Sequence, residues 1–259
     1  MYAKASTIDG NIEAIASLLE QSRIIKDAIF ENYVVLVHGD LGVIEKIETI
    51  MRSRRIEEDW YERLGFLLPI PGLFHIRMAC VDAINRIHGS TPGMRNDPNG
   101  LYKYLMTLFP NNTAKLNQKV PPFRMMNDGI DYILRVAILN AWKEDMGGDI
   151  AGFLKSNPTL DDIKHHAQSI ASKQFQASHL HERHRHDMEQ DQVRNNQVLF
   201  NCDAMYYRIL VHAINYGMVD IILDVLAVWI PILLSCGKHK YASYLAKFLA
   251  RVKQYPEAL

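Results

Sequence analysis

The apolar run Tyr33-Val34-Val35-Leu36-Val37 stops abruptly at His38-Gly39-Asp40-Leu41-Gly42, the pattern of a buried, β-branched strand released by glycines. Before it, residues 8–30 place Ile12, Ile15, Ala16, Leu18 and Leu19 at helical spacing, and Asp9-Gly10-Asn11 supplies N-cap chemistry. After it, residues 41–55 repeat apolar side chains at Val43, Ile44, Ile47, Ile50 and Met51 with charges between them, which predicts a second helix. Strand, glycine turn and helix in succession form the unit from which α/β sheets are built. A second apolar run, residues 64–74, carries Phe66, Leu67, Leu68 and Ile70 and is punctuated by Pro69, Pro71 and Gly72-Leu73, predicting a short strand and a sharp turn. His75 then opens an amphipathic helix through Ile76, Met78, Ala79, Val81, Ala83, Ile84 and Ile87, closed by Gly89.

From Ser90 onward the periodicity is helical, with loops predicted at residues 91–100, 110–122 and 147–159. Residues 161–194 are rich in His, Gln, Ser and charge, and read either as a solvated helix or as a mobile connector. Strong helical patterning resumes over residues 198–216, 219–234 and 241–253. No further strand and no internal repeat is evident. The fold class expected is α/β, predominantly helical, with a partial sheet. Its expected organisation is an α/β portion over residues 1–89, a helical insertion with loops and a His-rich connector over 90–197, and C-terminal helices over 198–259 that pack back on the core.

Composition narrows the classes. A chain of 259 residues can bury an ample core without disulfide or metal staples. Lys plus Arg equals Asp plus Glu at 29 each, so contact with DNA would have to come from local patches rather than overall charge. Cys80, Cys202 and Cys236 are odd in number and far apart, which fits a reducing, intracellular setting, nuclear or cytoplasmic. Residues 1–17 lack a basic start followed by an apolar core, so no secretory leader is expected, and residues 225–234, the most hydrophobic segment, are too short to span a bilayer. They read as a core helix bent or started by Pro231, and no membrane partner is expected.

Candidate chemistry begins with Asp40, a carboxylate delivered at the end of a strand, where metals and phosphates are commonly handled. The same residue in a turn would simply bond its own backbone. The run His179-Leu180-His181-Glu182-Arg183-His184-Arg185-His186 invites a metal reading, but Arg185 stands where a zincin needs its second histidine, so a solvated, pH-sensitive surface helix is the better account. Arg52, Arg54 and Arg55 form a basic cluster able to contact phosphate or to pair with Glu57, Glu58 and Asp59. Lys238 and Lys240 follow Gly237 and can touch nucleic acid or cap the preceding helix. No Walker loop, dinucleotide fingerprint or nucleophile elbow occurs, which argues against ATP, NAD and acyl-transfer chemistry. Tyr206, Tyr207, Tyr216, Trp229, Tyr241 and Tyr244 fall at helical spacing and read as core or core edge.

The motifs His38-Gly39-Asp40, Arg52-Ser53-Arg54, Pro71-Gly72-Leu73-Phe74-His75, Gly237-Lys238-His239-Lys240-Tyr241 and Tyr255-Pro256-Glu257 together resemble, nearly end to end, a family of fungal proteins abundant in mushroom-forming species and known only as a domain of unknown function. A second similarity is to the RNase H-like core of mutator-type and related cut-and-paste transposases, through the order strand, Asp40, helix, short strand, Phe74-His75, helix. That resemblance implies a partial RNase H-like sheet in which Asp40 is the second of three carboxylates holding two magnesium or manganese ions, with His75 as its polar neighbour. Asp203, Asp220 and Glu257 are the candidates for the third carboxylate. Nothing before Ile8 supplies the first, so the chain is expected to be truncated at its start relative to that family and inactive as a nuclease by itself. The resemblance thus implies a degenerate, transposase-derived domain that binds nucleic acid, DNA through local patches, or protein. The alternatives are a helical protein-interaction scaffold without chemistry and a metal-dependent nuclease fragment.

Overall fold

The computed structural model describes residues 7–21, 34–89, 92–176 and 192–254. In chain order these form α1 (Ile8–Gln21), β1 (Val35–Gly39), α2 (Leu41–Ser53), a 3-10 turn (Arg54–Ile56), β2 (Leu67–Pro71), α3 (Leu73–Gly89) and α4 (Pro92–Asn96). There follow α5 (Leu101–Leu108), a second 3-10 turn (Pro110–Asn112), α6 (Thr113–Leu116), α7 (Phe123–Asp145), α8 (Ile150–Lys155) and α9 (Leu160–Gln174). The last helices are α10 (Gln192–Tyr216), α11 (Val219–Ser235) and α12 (His239–Val252). The chain divides into two units, one of Met1–Ile76 with Ser243–Leu259 and one of Arg77–Ala242.

In the first unit β1 and β2 pair in parallel, with Val35 opposite Leu67 and Gly39 opposite Pro71. A parallel pair needs a crossover, and α2 provides it, burying Ile44, Ile47 and Ile50. Leu19, Ile47, Ile50, Leu64, Phe66 and Leu67 form the core, with Ile12, Ile15, Val35, Val37 and Tyr61 packed against it. Strand β1 is not buried on both faces as its apolar run suggests. Val35 and Val37 turn inward while Leu36 stays 51% exposed, because a two-stranded sheet covered on one side shields only alternate residues. Pro69 and Pro71 sit inside β2, where a two-stranded ladder leaves an outer edge needing no N–H donor. Helix α3 begins at Leu73, immediately after Gly72, so His75 lies within its first turn rather than at a strand end.

The second unit is helical. α7 packs against α5, α9 and α10, and α10 against α11, around Tyr102, Leu105, Met126, Ile130, Tyr207 and Trp229. Gly129 on α7 permits the approach of α5, since a Cβ there would run into the side chain of Leu105. The three stretches predicted as loops contain α4, the second 3-10 turn with α6, and α8. Proline suits a first helical turn, and Asp149 caps α8 by accepting from the Gly152 amide at 2.7 Å. The start of the polar stretch is helix α9, opened by a capping box between Thr159 and Asp162. The histidine run 179–186 lies outside the described residues, as do residues 22–30 of the predicted first helix. Pro231 falls inside α11. Tyr207, Trp229 and Tyr244 are buried, but Tyr216 at the end of α10 is 70% exposed, because helical spacing does not reveal where a helix outruns its neighbours.

Candidate functional site

Parallel pairing brings the C-terminal ends of β1 and β2 to one sheet edge, and each leads directly into a helix, α2 and α3. Asp40 and His75 therefore stand at the first turns of two helices on the same edge. Asp40 is exposed and takes an extended backbone, φ −66° and ψ 167°, and its Oδ1 accepts from the Val43 amide at 2.7 Å. It is the N-cap of α2. The position of a Cβ on Gly72 would lie 2.5 Å from the Gly39 carbonyl oxygen and 3.4 Å from His75 Cδ2, so glycine keeps this edge closed.

Of the candidate third carboxylates, Asp203 and Asp220 belong to the second unit. Asp203, on α10 of the second unit, pairs with His88 Nε2 at 2.8 Å, and the His88 ring meets Phe200 edge-on. Asp220 is exposed in the first turn of α11, and Glu257 lies outside the described residues. Among the described residues no three His, Cys, Asp or Glu side chains gather closely enough to hold a metal ion.

A different constellation is assembled on the first unit. Arg52 in the last turn of α2 and Arg55 in the 3-10 turn line a cleft of about 380 Å3 together with Arg63, Arg251 and Trp60. Leu67, Leu68 and Pro69 of β2 and Met51 of α2 supply its apolar wall. Among the described lining residues Glu48 alone is acidic, and its Oε1 accepts from Arg251 Nη1. Arg63 Nε donates to the Glu57 carbonyl. Arg54 turns instead to Glu62, with Nη1 3.5 Å from Oε2 and 3.2 Å from the Glu62 carbonyl oxygen. The basic cluster is thus split, Arg52 and Arg55 facing the cleft and Arg54 paired. Arg63, Trp60 and Arg251 are the residues that sequence reasoning misses. Neither a lone arginine in a loop nor one near the chain end carries a local signal of this assembly.

Lys238, by contrast, is 15% exposed, with Nζ 2.6 Å from Asp82 Oδ2 and its amide donating to the Leu233 carbonyl at 2.8 Å. It closes the end of α11 beyond Gly237, whose φ of +81° favours glycine. Lys240 is exposed in the first turn of α12.

A polar network in the second unit centres on Asp145. Asp145 receives His166 Nδ1 at 2.7 Å, Ser169 Oγ at 2.9 Å and Lys173 Nζ at 3.1 Å, joining the end of α7 to α9. The hydrogen bonds from His166 and Lys173 hold its carboxyl at a pKa of about 2, below the ordinary 3.8. Burial pushes the Cys80 thiol well up, which keeps it protonated and unreactive. A groove of about 390 Å3 runs past Tyr104, Leu108, Tyr132 and Val136, all partly exposed.

The elements define a predominantly helical protein carrying a small two-stranded parallel sheet. The chain belongs to a family of unknown function, DUF6589, whose family model matches residues 1–259. No curated protein and no solved structure matches it. No helix among the described residues is long and apolar enough to cross a membrane.

Proposed function

We propose that this chain binds DNA without cutting it, as a degenerate relative of RNase H-like transposase cores, and that the arginine cleft of its first unit is where the phosphate backbone is held. The observation that carries this reading is the convergence of Arg52, Arg55, Arg63 and Arg251 on one cleft in which, among the described residues, Glu48 is the sole acidic lining residue. A chain with no net charge attracts a polyanion only where folding concentrates cations, and here folding concentrates four. Arginine suits the task because its planar fork bonds phosphate oxygens in pairs and never loses its charge. The relation to transposase cores is supported by the parallel β1–α2–β2 unit with Asp40 after the first strand, while the capping bond of Asp40 to Val43 supports a structural duty for that carboxylate.

The test is titration of the full chain with a labelled DNA duplex at several salt concentrations. Each phosphate contact contributes about 0.9 to the slope of log affinity against log salt, so the double variant Arg52→Ala/Arg55→Ala should flatten the slope by about 2 and weaken binding at low salt. An unchanged slope and affinity would sink the reading. The second reading, a protein-interaction scaffold, is favoured by the partly exposed groove past Tyr104, Leu108, Tyr132 and Val136, and it becomes the leading one if no polynucleotide binds.

A further inference from the structure

Trp60 lines the same cleft and is held there in an unusual way. Its indole lies against Gly65, where a Cβ would come within 2.6 Å of Cε3 and Cζ3 and 2.8 Å of Cδ2. Any other residue at position 65 would displace the ring, so the glycine is the seat of the indole. Trp60 is nevertheless 48% exposed. A large aromatic surface is thus backed by main chain on one side, kept partly open, and set among four arginines above the apolar wall of Leu67, Leu68 and Pro69. Two of those arginines are already tied, Arg251 to Glu48 and Arg63 to the Glu57 carbonyl, whereas Arg52 and Arg55 are exposed.

Cations that track a phosphate chain beside a rigid aromatic plate describe how unpaired nucleotides are gripped, since every base offers a π face. A duplex keeps those faces stacked inside, and only its phosphates could engage such a cleft. Resting on the DNA-binding reading above, we infer that the cleft takes a single-stranded segment, one unpaired base stacking on Trp60 while the adjoining phosphates lie on Arg52 and Arg55. The cleft volume of about 380 Å3 falls within the usual range for sites that enclose a small ligand, ample for one nucleotide.

The experiment compares three labelled probes on the full chain: oligothymidylate, oligouridylate and a mixed-sequence duplex, each about 20 units long to exceed a single binding site. Oligothymidylate should bind more tightly than the duplex and quench indole emission, and the uridylate arm shows whether ribose is accepted as well. Trp60→Ala should weaken the single strand about tenfold or more and the duplex much less, whereas Trp60→Phe should keep most of the affinity while abolishing the quench. Circular dichroism of each variant confirms folding, and the quench in the unaltered chain supplies a readout that needs no variant. Equal affinity for strand and duplex, with no quench and no effect of Trp60→Ala, overturns the single-strand inference even if Arg52→Ala/Arg55→Ala still weakens both. Failure of all three probes to bind overturns the inference and the DNA-binding reading together.

Discussion

Gly72 donates its N–H to the Gly39 carbonyl across 2.9 Å, and a Cβ at position 72 would approach that same oxygen to 2.5 Å. The bond extends the β1–β2 ladder by one step, immediately before α3 begins. Because the obstructing atom is main chain, neither side can yield cheaply. Gly72→Ala should therefore cost about 1–3 kcal/mol, the usual range for overpacking, and Gly72→Val more. Urea denaturation followed by circular dichroism measures it, and a wild-type midpoint for Gly72→Ala would show the edge to be more yielding than described.

Asp40 separates a cap from a catalyst. A carboxylate whose work is to accept from the Val43 amide is replaceable by any short acceptor. Asp40→Asn should melt close to the unaltered chain and Asp40→Ala should lose about 1 kcal/mol, with DNA affinity unchanged in both. Manganese-dependent cleavage of DNA by the unaltered chain, abolished in Asp40→Asn, would restore the nuclease reading instead.

The α7–α9 network predicts acid sensitivity. Asp145 has its pKa lowered from 3.8 to about 2 in the folded chain, so the folded state favours the ionised form more than the unfolded state does. That contribution is fully present above the unfolded value and is lost as pH falls through about 4 toward 2. Asp145→Asn should be less stable than the unaltered chain near neutrality, and the gap should narrow across that acid window. Thermal melts at a series of pH values check it, and a gap that stays constant from neutrality to the acid limit would contradict the assignment.

Glu48 offsets one of the four cleft cations. Glu48→Gln keeps the shape of the side chain and removes its charge, so DNA should bind about two- to tenfold more tightly at low salt, the gain shrinking as salt rises. Fluorescence anisotropy at about 50 and 200 mM salt reads both effects. Weaker binding in Glu48→Gln would mean that Arg251 needs its carboxylate to hold position more than the DNA needs the charge.

Gly129 tests the packing of the second unit. Its missing side chain admits the Leu105 side chain between α7 and α5, and Gly129→Ala should destabilise by about 1–3 kcal/mol despite the higher helix propensity of alanine. The truncation Leu105→Ala should cost stability by itself but relieve the added methyl, so the double variant should be less impaired than the two separate losses together. Strict additivity in denaturant titrations would show that the two positions do not compete for space.

Local chemistry was enough to reveal the strand that ends before Asp40, helix α2, the short second strand, and the long helices α10 and α11, whereas Gly42 of the predicted glycine turn lies inside α2. Each depends on the spacing of apolar residues over a few turns or on a single Gly, Pro or Asp, and such signals are written in consecutive residues. The capping duty open to Asp40 was legible for the same reason. Whether β1 was covered on one face or two was not, because that depends on how many strands and helices arrive from elsewhere. Nor was the division of labour among Arg52, Arg54 and Arg55, which hinges on Glu62, Arg63 and Arg251 converging from a loop and from the far end of the chain. The seat of Trp60 on Gly65 is a contact across a turn whose course only folding sets. Periodicity determines which face of an element is apolar, but charges and rings meet in space through the packing of those faces, and that packing was decided by the tertiary structure alone.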